Sequence, residues 1–106
     1  MYMVSTDVVK PSKPDSKRIV METIKEYVDE TKAGDPRFYL RALSRYLQGQ
    51  GYDINSWAIY QIINGAVVDD SHVFEKVVKG KAVYKCNPVL FNQYLDREFP
   101  NVFTAR

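Results

Sequence analysis

The chain predicts a mostly helical α+β fold on three observations. Apolar residues recur at helical spacing in four stretches. One run of short-period, lysine-rich sequence reverses at Lys79-Gly80, as a β-hairpin does. Proline and glycine punctuate the segments between. At 106 residues the chain holds one domain with a modest core. The expected division is a flexible arm at 1–15, a folded domain at 16–100 and a tail at 101–106.

The net charge of +2 is too small to argue for a polyanionic partner, so the placement of the charges must decide. With Cys86 the one cysteine, neither an intrachain disulfide nor a cysteine-based zinc site can form. No apolar run reaches membrane-spanning length, and residues 1–9 lack a basic segment followed by an apolar block. A cytoplasmic location is the expectation.

In the arm, Lys10 to Asp15 holds two prolines and no hydrophobic period, which suits a mobile or extended segment. The alternative is that Met3, Val4, Val8 and Val9 add an edge strand or meet a partner. The first helix is predicted from about Ser16 to Lys32. Ile19, Val20, Thr23, Ile24, Tyr27, Val28 and Thr31 form its apolar side, against a mixed-charge side that reads as solvated surface. Gly34 suits the left-handed residue after the helix end.

The second helix is predicted to start with Asp35 as N-cap and Pro36 in the first position. Phe38, Leu40, Ala42, Leu43, Tyr46 and Leu47 supply apolar contacts, and Arg37, Arg41 and Arg45 recur every fourth residue as one stripe. No acid lies between Pro36 and Tyr52. Such a stripe either solubilises the helix or faces phosphates. Gly49-Gln50-Gly51 then breaks the helix; without a preceding strand and a third glycine it reads as a turn, not a dinucleotide loop.

The third helix is predicted from about Ile54 to Asn64, capped by Asp53 or Asn55 and ended by Gly65. At 100° per residue, Ile54, Ala58, Ile59, Ile62 and Ile63 fill one half of the wheel. Ser56, Trp57, Tyr60, Gln61 and Asn64 fill the other, which carries no charge. An ordinary solvent face holds Lys and Glu; this one suits contact. Alternatively, Trp57 and Tyr60 lie under the arm or the final helix and complete the core.

The hairpin is predicted at 72–78 and 81–87. That register puts Val73, Val77, Ala82, Tyr84 and Cys86 on one face, with Glu75 an exception, and Phe74, Lys76, Val78, Lys81, Val83 and Lys85 on the other. Lys76, Lys79, Lys81 and Lys85 make a basic finger. Asn87-Pro88 opens a final helix whose apolar residues are Val89, Leu90 and the stripe Phe91, Tyr94, Leu95 and Phe99, closed by Pro100. That stripe either makes homodimer contacts or packs on the first helix of its own chain.

Catalysis is not expected. Asp69, Asp70, His72 and Glu75 cluster in sequence, but carboxylates at a turn are ordinarily turn formers, so neither a metal nor another cofactor is predicted. Cys86 reads as a buried structural thiol.

Two segments carry a family resemblance. Ile54 to Ile63 is similar to recognition helices that begin with a buried aliphatic and a polar cap and end in an aliphatic pair. Lys79 to Pro88 is similar to a wing and its exit: a glycine turn, basic residues, a tyrosine, then proline entering a helix. From Ile19 to Asn87 the chain resembles the winged helix-turn-helix of small transcription regulators. It departs from them in lacking Arg or Lys on the outer face of the third helix, and in a long connection from Ala66 to Ser71.

The resemblance implies double-stranded DNA as partner and a regulatory role. Arg37, Arg41, Arg45, Lys76, Lys79, Lys81 and Lys85 would meet phosphates, supplying affinity and register. Gln61 and Asn64 can bond adenine in a two-pronged way, Ser56 and Tyr60 can reach phosphate or a base edge, and Trp57 can pack on sugar or a thymine methyl. The rival expectation is a protein-interaction module of the same shape whose aromatic third-helix face docks another protein, since fold alone does not deliver function.

Overall fold

The computed structural model describes residues 9–32, 34, 36–69, 72–77, 80–100 and 102. The elements run α1 (Lys13–Thr31), β1 (Arg37–Tyr39), α2 (Leu40–Gly49), α3 (Ser56–Asp69), β2 (Phe74–Lys76), β3 (Val83–Cys86) and α4 (Pro88–Glu98). This is a small α+β fold in which the strands form one antiparallel sheet ordered β1-β3-β2.

Helix α1 begins at Lys13, earlier than expected, because Ser12 is an N-cap. Its hydroxyl accepts from the Asp15 N–H at 3.3 Å, and Pro14 stands in the first turn, where a missing N–H costs nothing. The first eight residues of the expected arm lie outside the described residues. Val9 is not free of the domain: it forms a parallel bridge with Tyr52, donating to the Gly51 carbonyl at 2.7 Å and accepting from the Asp53 N–H at 2.6 Å. At the other end, Lys32 and not Gly34 adopts the left-handed conformation (φ 54°) and donates to the Val28 carbonyl. The buried side is Ile19, Val20, Met21, Ile24 and Val28; Tyr27 stays exposed.

The largest correction concerns the second helix. Pro36 does not open it. The Pro36 carbonyl accepts from the Cys86 N–H at 3.0 Å, and Arg37, Phe38 and Tyr39 pair with Lys85, Tyr84 and Val83. Phe38 points inward and its neighbours outward, the alternation of a strand. Only at Leu40 does the backbone turn helical. Tyr39 offers no side-chain cap, and the Ala82 carbonyl meets the Leu40 N–H at 3.1 Å instead.

Helices α2 and α3 are joined by a turn in which Gly51 holds φ 93°, a value that disfavours any residue with a Cβ. The buried Ser44 hydroxyl donates to the Ile54 carbonyl at 2.9 Å and locks the end of this turn to α2. Asn55 caps α3, accepting from the Ala58 N–H at 2.9 Å. Ile54 is buried just ahead of the helix. Contrary to expectation, α3 does not stop at Gly65. Ile59, Ile63 and Ala66 continue a buried stripe at helical spacing, and Gly65 sits exposed opposite it. Burial of that extra turn offsets the roughly 1 kcal/mol that a helical glycine costs.

The hairpin register differs from the expected one by a single residue. Phe74 lies opposite Cys86, Glu75 opposite Lys85 and Lys76 opposite Tyr84. The expected arrangement placed Phe74 outside and Glu75 inside. Core packing decides between them. The Phe74 ring meets Phe38 edge-on at 5.8 Å and Phe91 at 5.6 Å, while Phe38 stacks on Tyr84 at 6.2 Å. The slip turns Glu75 outward, directly across from Lys85. Gly80, at φ 83°, takes the left-handed position in the loop between the strands.

Asn87 and Pro88 open α4 as expected, with the Asn87 side chain accepting from the Leu90 N–H at 3.1 Å. Its apolar stripe packs inward on its own chain. Phe91, Tyr94 and Leu95 are fully buried in the core of their own chain, and Phe99 packs against it half-buried. Lys25 reaches Asn92 at 3.1 Å, and Lys17 lies over the Tyr94 and Phe99 rings, fastening α1 to α4. Cys86 is buried.

Two stability predictions follow from buried hydroxyls. Ser44→Ala removes the one side-chain donor given to the Ile54 carbonyl, and urea unfolding should show a loss of about 1–3 kcal/mol. The Tyr94 hydroxyl is buried with no hydrogen-bond partner among the described residues. Burial first, then Asp69 and Glu98, push its pKa up to about 12, against a smaller lowering by Arg97. A raised value means that the contribution of the neutral phenol is complete below pH 10 and lost as pH climbs through 12. Tyr94→Phe should therefore match or exceed the parent's thermal stability at neutral pH and lose less of it between pH 10 and 12.

Candidate nucleic-acid interface

The outer half of α3 is open. Trp57 is 63% exposed and Tyr60 37% exposed, while Gln61 and Asn64 are exposed and Ser56 is half-buried at the first helical position. Trp57 and Tyr60 are not among the buried core residues; of the arm expected as their alternative cover, residues 1–8 lie outside the described residues. The inner half supplies Ile59, Ile63 and Ala66 to the core, and the N-terminal segment at Val9 lies against the turn before α3 rather than over these rings. Trp57 and Tyr60, three residues apart, stack with centroids 5.5 Å apart and planes 23° apart, forming one flat aromatic plate. Burial, and then the Tyr60 phenol, raise the Tyr84 pKa.

The expected arginine stripe divides between two elements. Arg37 lies on the outer face of β1, level with Lys85 and Glu75 across the sheet. Arg41 and Arg45 stay one turn apart on exposed α2. On the helical wheel they flank Ser44 and Gln48, on the side that receives Ile54, whereas Ala42 and Tyr46 occupy the other flank. Lys76 and Lys81 are exposed on the hairpin and Lys85 is half-buried in its central strand. Lys79 lies outside the described residues.

The structure adds cations that sequence reasoning missed. Lys10, Lys13 and Lys17 line a groove of about 470 Å³ together with Gln61, Ala58 and Asp53. The missed signal was Ser12-Lys13-Pro14-Asp15, a cap-and-proline helix start read as part of an arm. Once α1 begins at Lys13, Lys13 stands beside Lys10 on the flank of α3, while Lys17, one turn on, lines the same groove with its ammonium drawn toward α4, 3.9 Å from Glu98. The charge-free plate thus has lysines along one flank, arginines on α2 and further lysines on the hairpin. Asp53 is the acid lining the groove.

Other chemistry is thinly represented. Among the described residues, no three His, Cys, Asp or Glu side chains gather as a metal-binding group. Asp69 ends α3 and Glu75 lies on β2; Asp70 lies outside the described residues. Among the described residues no helix is long and apolar enough to cross a membrane.

No protein-family model, no curated protein and no solved structure matches the chain. The site must therefore be read from its own geometry.

Trp57 is the one tryptophan, so its emission reports on the plate directly. The free protein should emit as an exposed indole and be quenched efficiently by acrylamide. A blue-shifted, protected spectrum would mean that the plate is covered in solution.

Proposed function

We propose that this chain is a non-catalytic double-stranded DNA-binding protein of the winged-helix kind, acting as a transcriptional regulator. In this reading α3 enters the major groove and the β2–β3 hairpin serves as the wing. The observation that carries it is the pairing of an exposed, uncharged face with flanking cations. Trp57, Tyr60, Gln61 and Asn64 form the face; Lys10, Lys13, Lys17, Arg41, Arg45 and Lys81 stand on the elements around it. A duplex demands this division of labour, with cations for the phosphate rails and neutral hydrogen-bonding groups for base edges. The element order α1-β1-α2-α3-β2-β3 and the sheet order β1-β3-β2 support the winged-helix reading.

Within this reading the roles separate. Gln61 and Asn64 read base edges, each worth about 1–3 kcal/mol of discrimination. Ser56, at the first position of α3, offers its hydroxyl and backbone N–H to a phosphate. The Trp57–Tyr60 plate packs on sugar and thymine methyl groups. Lys76, Lys79, Lys81 and Lys85 lie along the wing, with Glu75 opposite Lys85 reducing the net charge there. Arg37, removed from the helix, contributes from the sheet edge.

A second reading has its own support. The stacked Trp57 and Tyr60 are the residue types that anchor protein interfaces, and α3 bears no Arg or Lys on its outer face. In that case the plate docks a protein within a larger assembly.

Fluorescence anisotropy with a mixed duplex of about 30 base pairs separates the two readings. If about four phosphates are neutralised, affinity should fall on the order of 100-fold between 50 and 200 mM salt. Arg41→Ala with Arg45→Ala, or Lys10→Ala with Lys13→Ala, should weaken binding to all sequences and flatten the salt dependence. Gln61→Ala should instead relax sequence preference. Absence of binding at 50 mM salt would sink the DNA reading and favour the protein-docking one.

A further inference from the structure

A second surface, away from the α3 face, has a different chemistry. Helix α1, strand β1 and helix α2 enclose a groove of about 440 Å³ walled by Tyr27, Phe38, Tyr39 and Tyr46. The three tyrosines are each 40% or more exposed. Tyr27 is held in place, its hydroxyl donating to the Arg37 carbonyl at 2.6 Å.

Glu26 and Glu30 line the same groove from α1. They stand one turn apart, a like-charge pair that destabilises a helix. They also lie near the C-terminal end of α1, where the helix dipole disfavours negative charge and where the last turn contains no basic residue. Their neighbour Asp29 is paired with Lys25 at 3.2 Å; Glu26 and Glu30 have no ion-pair partner among the described residues. Among the described residues, the lining carries these two carboxylates and the Arg37 guanidinium.

We infer that this groove binds a small organic cation: an ammonium group carried on an apolar or aromatic body. Aromatic faces attract such a cation through their quadrupole, most strongly where the group is partly desolvated. The carboxylates supply the complementary charge, and occupancy relieves the repulsion between them. The volume lies within the range of small-molecule sites. Because α2 carries Tyr46 on one flank and Arg41 and Arg45 on the other, the ligand would touch the helix that also borders the α3 face. The inference does not depend on what α3 binds.

The test is an NMR titration of the full chain with benzyltrimethylammonium, using benzyl alcohol as the uncharged control. Saturable shifts should appear at Tyr27, Tyr39, Tyr46 and Glu30, with the Trp57 indole unmoved. The cation should bind about tenfold more tightly than the alcohol. Glu26→Gln combined with Glu30→Gln removes the charge while easing helix repulsion, so it should keep the fold and lose about tenfold in affinity. Tyr46→Ala should weaken the cation as well. Equal binding of both probes, an unaffected double variant, or shifts centred on Trp57 would overturn the assignment. So would shifts at the same residues produced by raising protein concentration without ligand, which would assign the groove to self-association.

Discussion

The pairing of β1 with β3 is the constraint on which the rest of the structure depends. It joins residues 37–39 to residues 83–85, far apart in sequence, and makes β3 the central strand. Strand β1 draws Arg37 to Tyr39 out of the helix they would otherwise extend and sets the start of α2 at Leu40. It brings Phe38 onto Tyr84 and Phe74, and through Phe74 onto Phe91 of α4, so one file of rings links the sheet to the last helix. Each such ring pair contributes about 0.5–1.5 kcal/mol beyond the area it buries. The same pairing leaves Tyr39 facing outward, where with Tyr27 and Tyr46 it walls the groove against α1.

The junction of α2 and α3 is fixed from both sides. Inside, the Ser44 hydroxyl holds the Ile54 carbonyl; outside, Val9 brackets the turn through Gly51 and Asp53. A helix whose entry is held this firmly presents its outer residues in a set orientation. That orientation matters for any partner read by hydrogen-bond geometry, because a polar contact misaligned beyond about 60° contributes little. The N-terminal segment thereby has two effects: it clamps the turn and carries Lys10 and Lys13 to the flank of α3.

The two exposed aromatic surfaces differ in the charge around them. The α3 plate is neutral with cations beside it, and the α1–α2 groove holds two carboxylates among its tyrosines. The proposed polyanion would meet the first, the inferred cation the second. Helix α2 separates them, with its arginines on one flank and Tyr46 on the other. Any ligand that shifts α2 relative to α1 would therefore also move Arg41 and Arg45 relative to α3.

Local patterns were legible in the sequence because local physics sets them. The apolar period of α1, the split wheel of α3, the Asn87-Pro88 start of α4 and the burial of Cys86 all follow from side-chain spacing and capping. The outer residues of α3 were legible for the same reason: once the inner stripe is known, Trp57, Tyr60, Gln61 and Asn64 have nowhere else to point. Long-range contacts decided the rest. Pro36 suits the first turn of a helix in isolation, yet β3 takes the Pro36 carbonyl and pairs with residues 37–39; Asp35, the expected cap, lies outside the described residues. The one-residue slip of the hairpin was settled by where Phe74 could pack. The apolar stripe of α4 joined the core of its own chain, where Phe91, Tyr94 and Leu95 are buried. The lysine flank of α3 and the tyrosine groove join residues from segments well separated in the chain, which no local pattern encodes. The sequence by itself thus determined which residues face inward and where most helices lie; tertiary structure decided register, strand β1 and the composition of both surfaces, because those depend on free energies shared between distant segments.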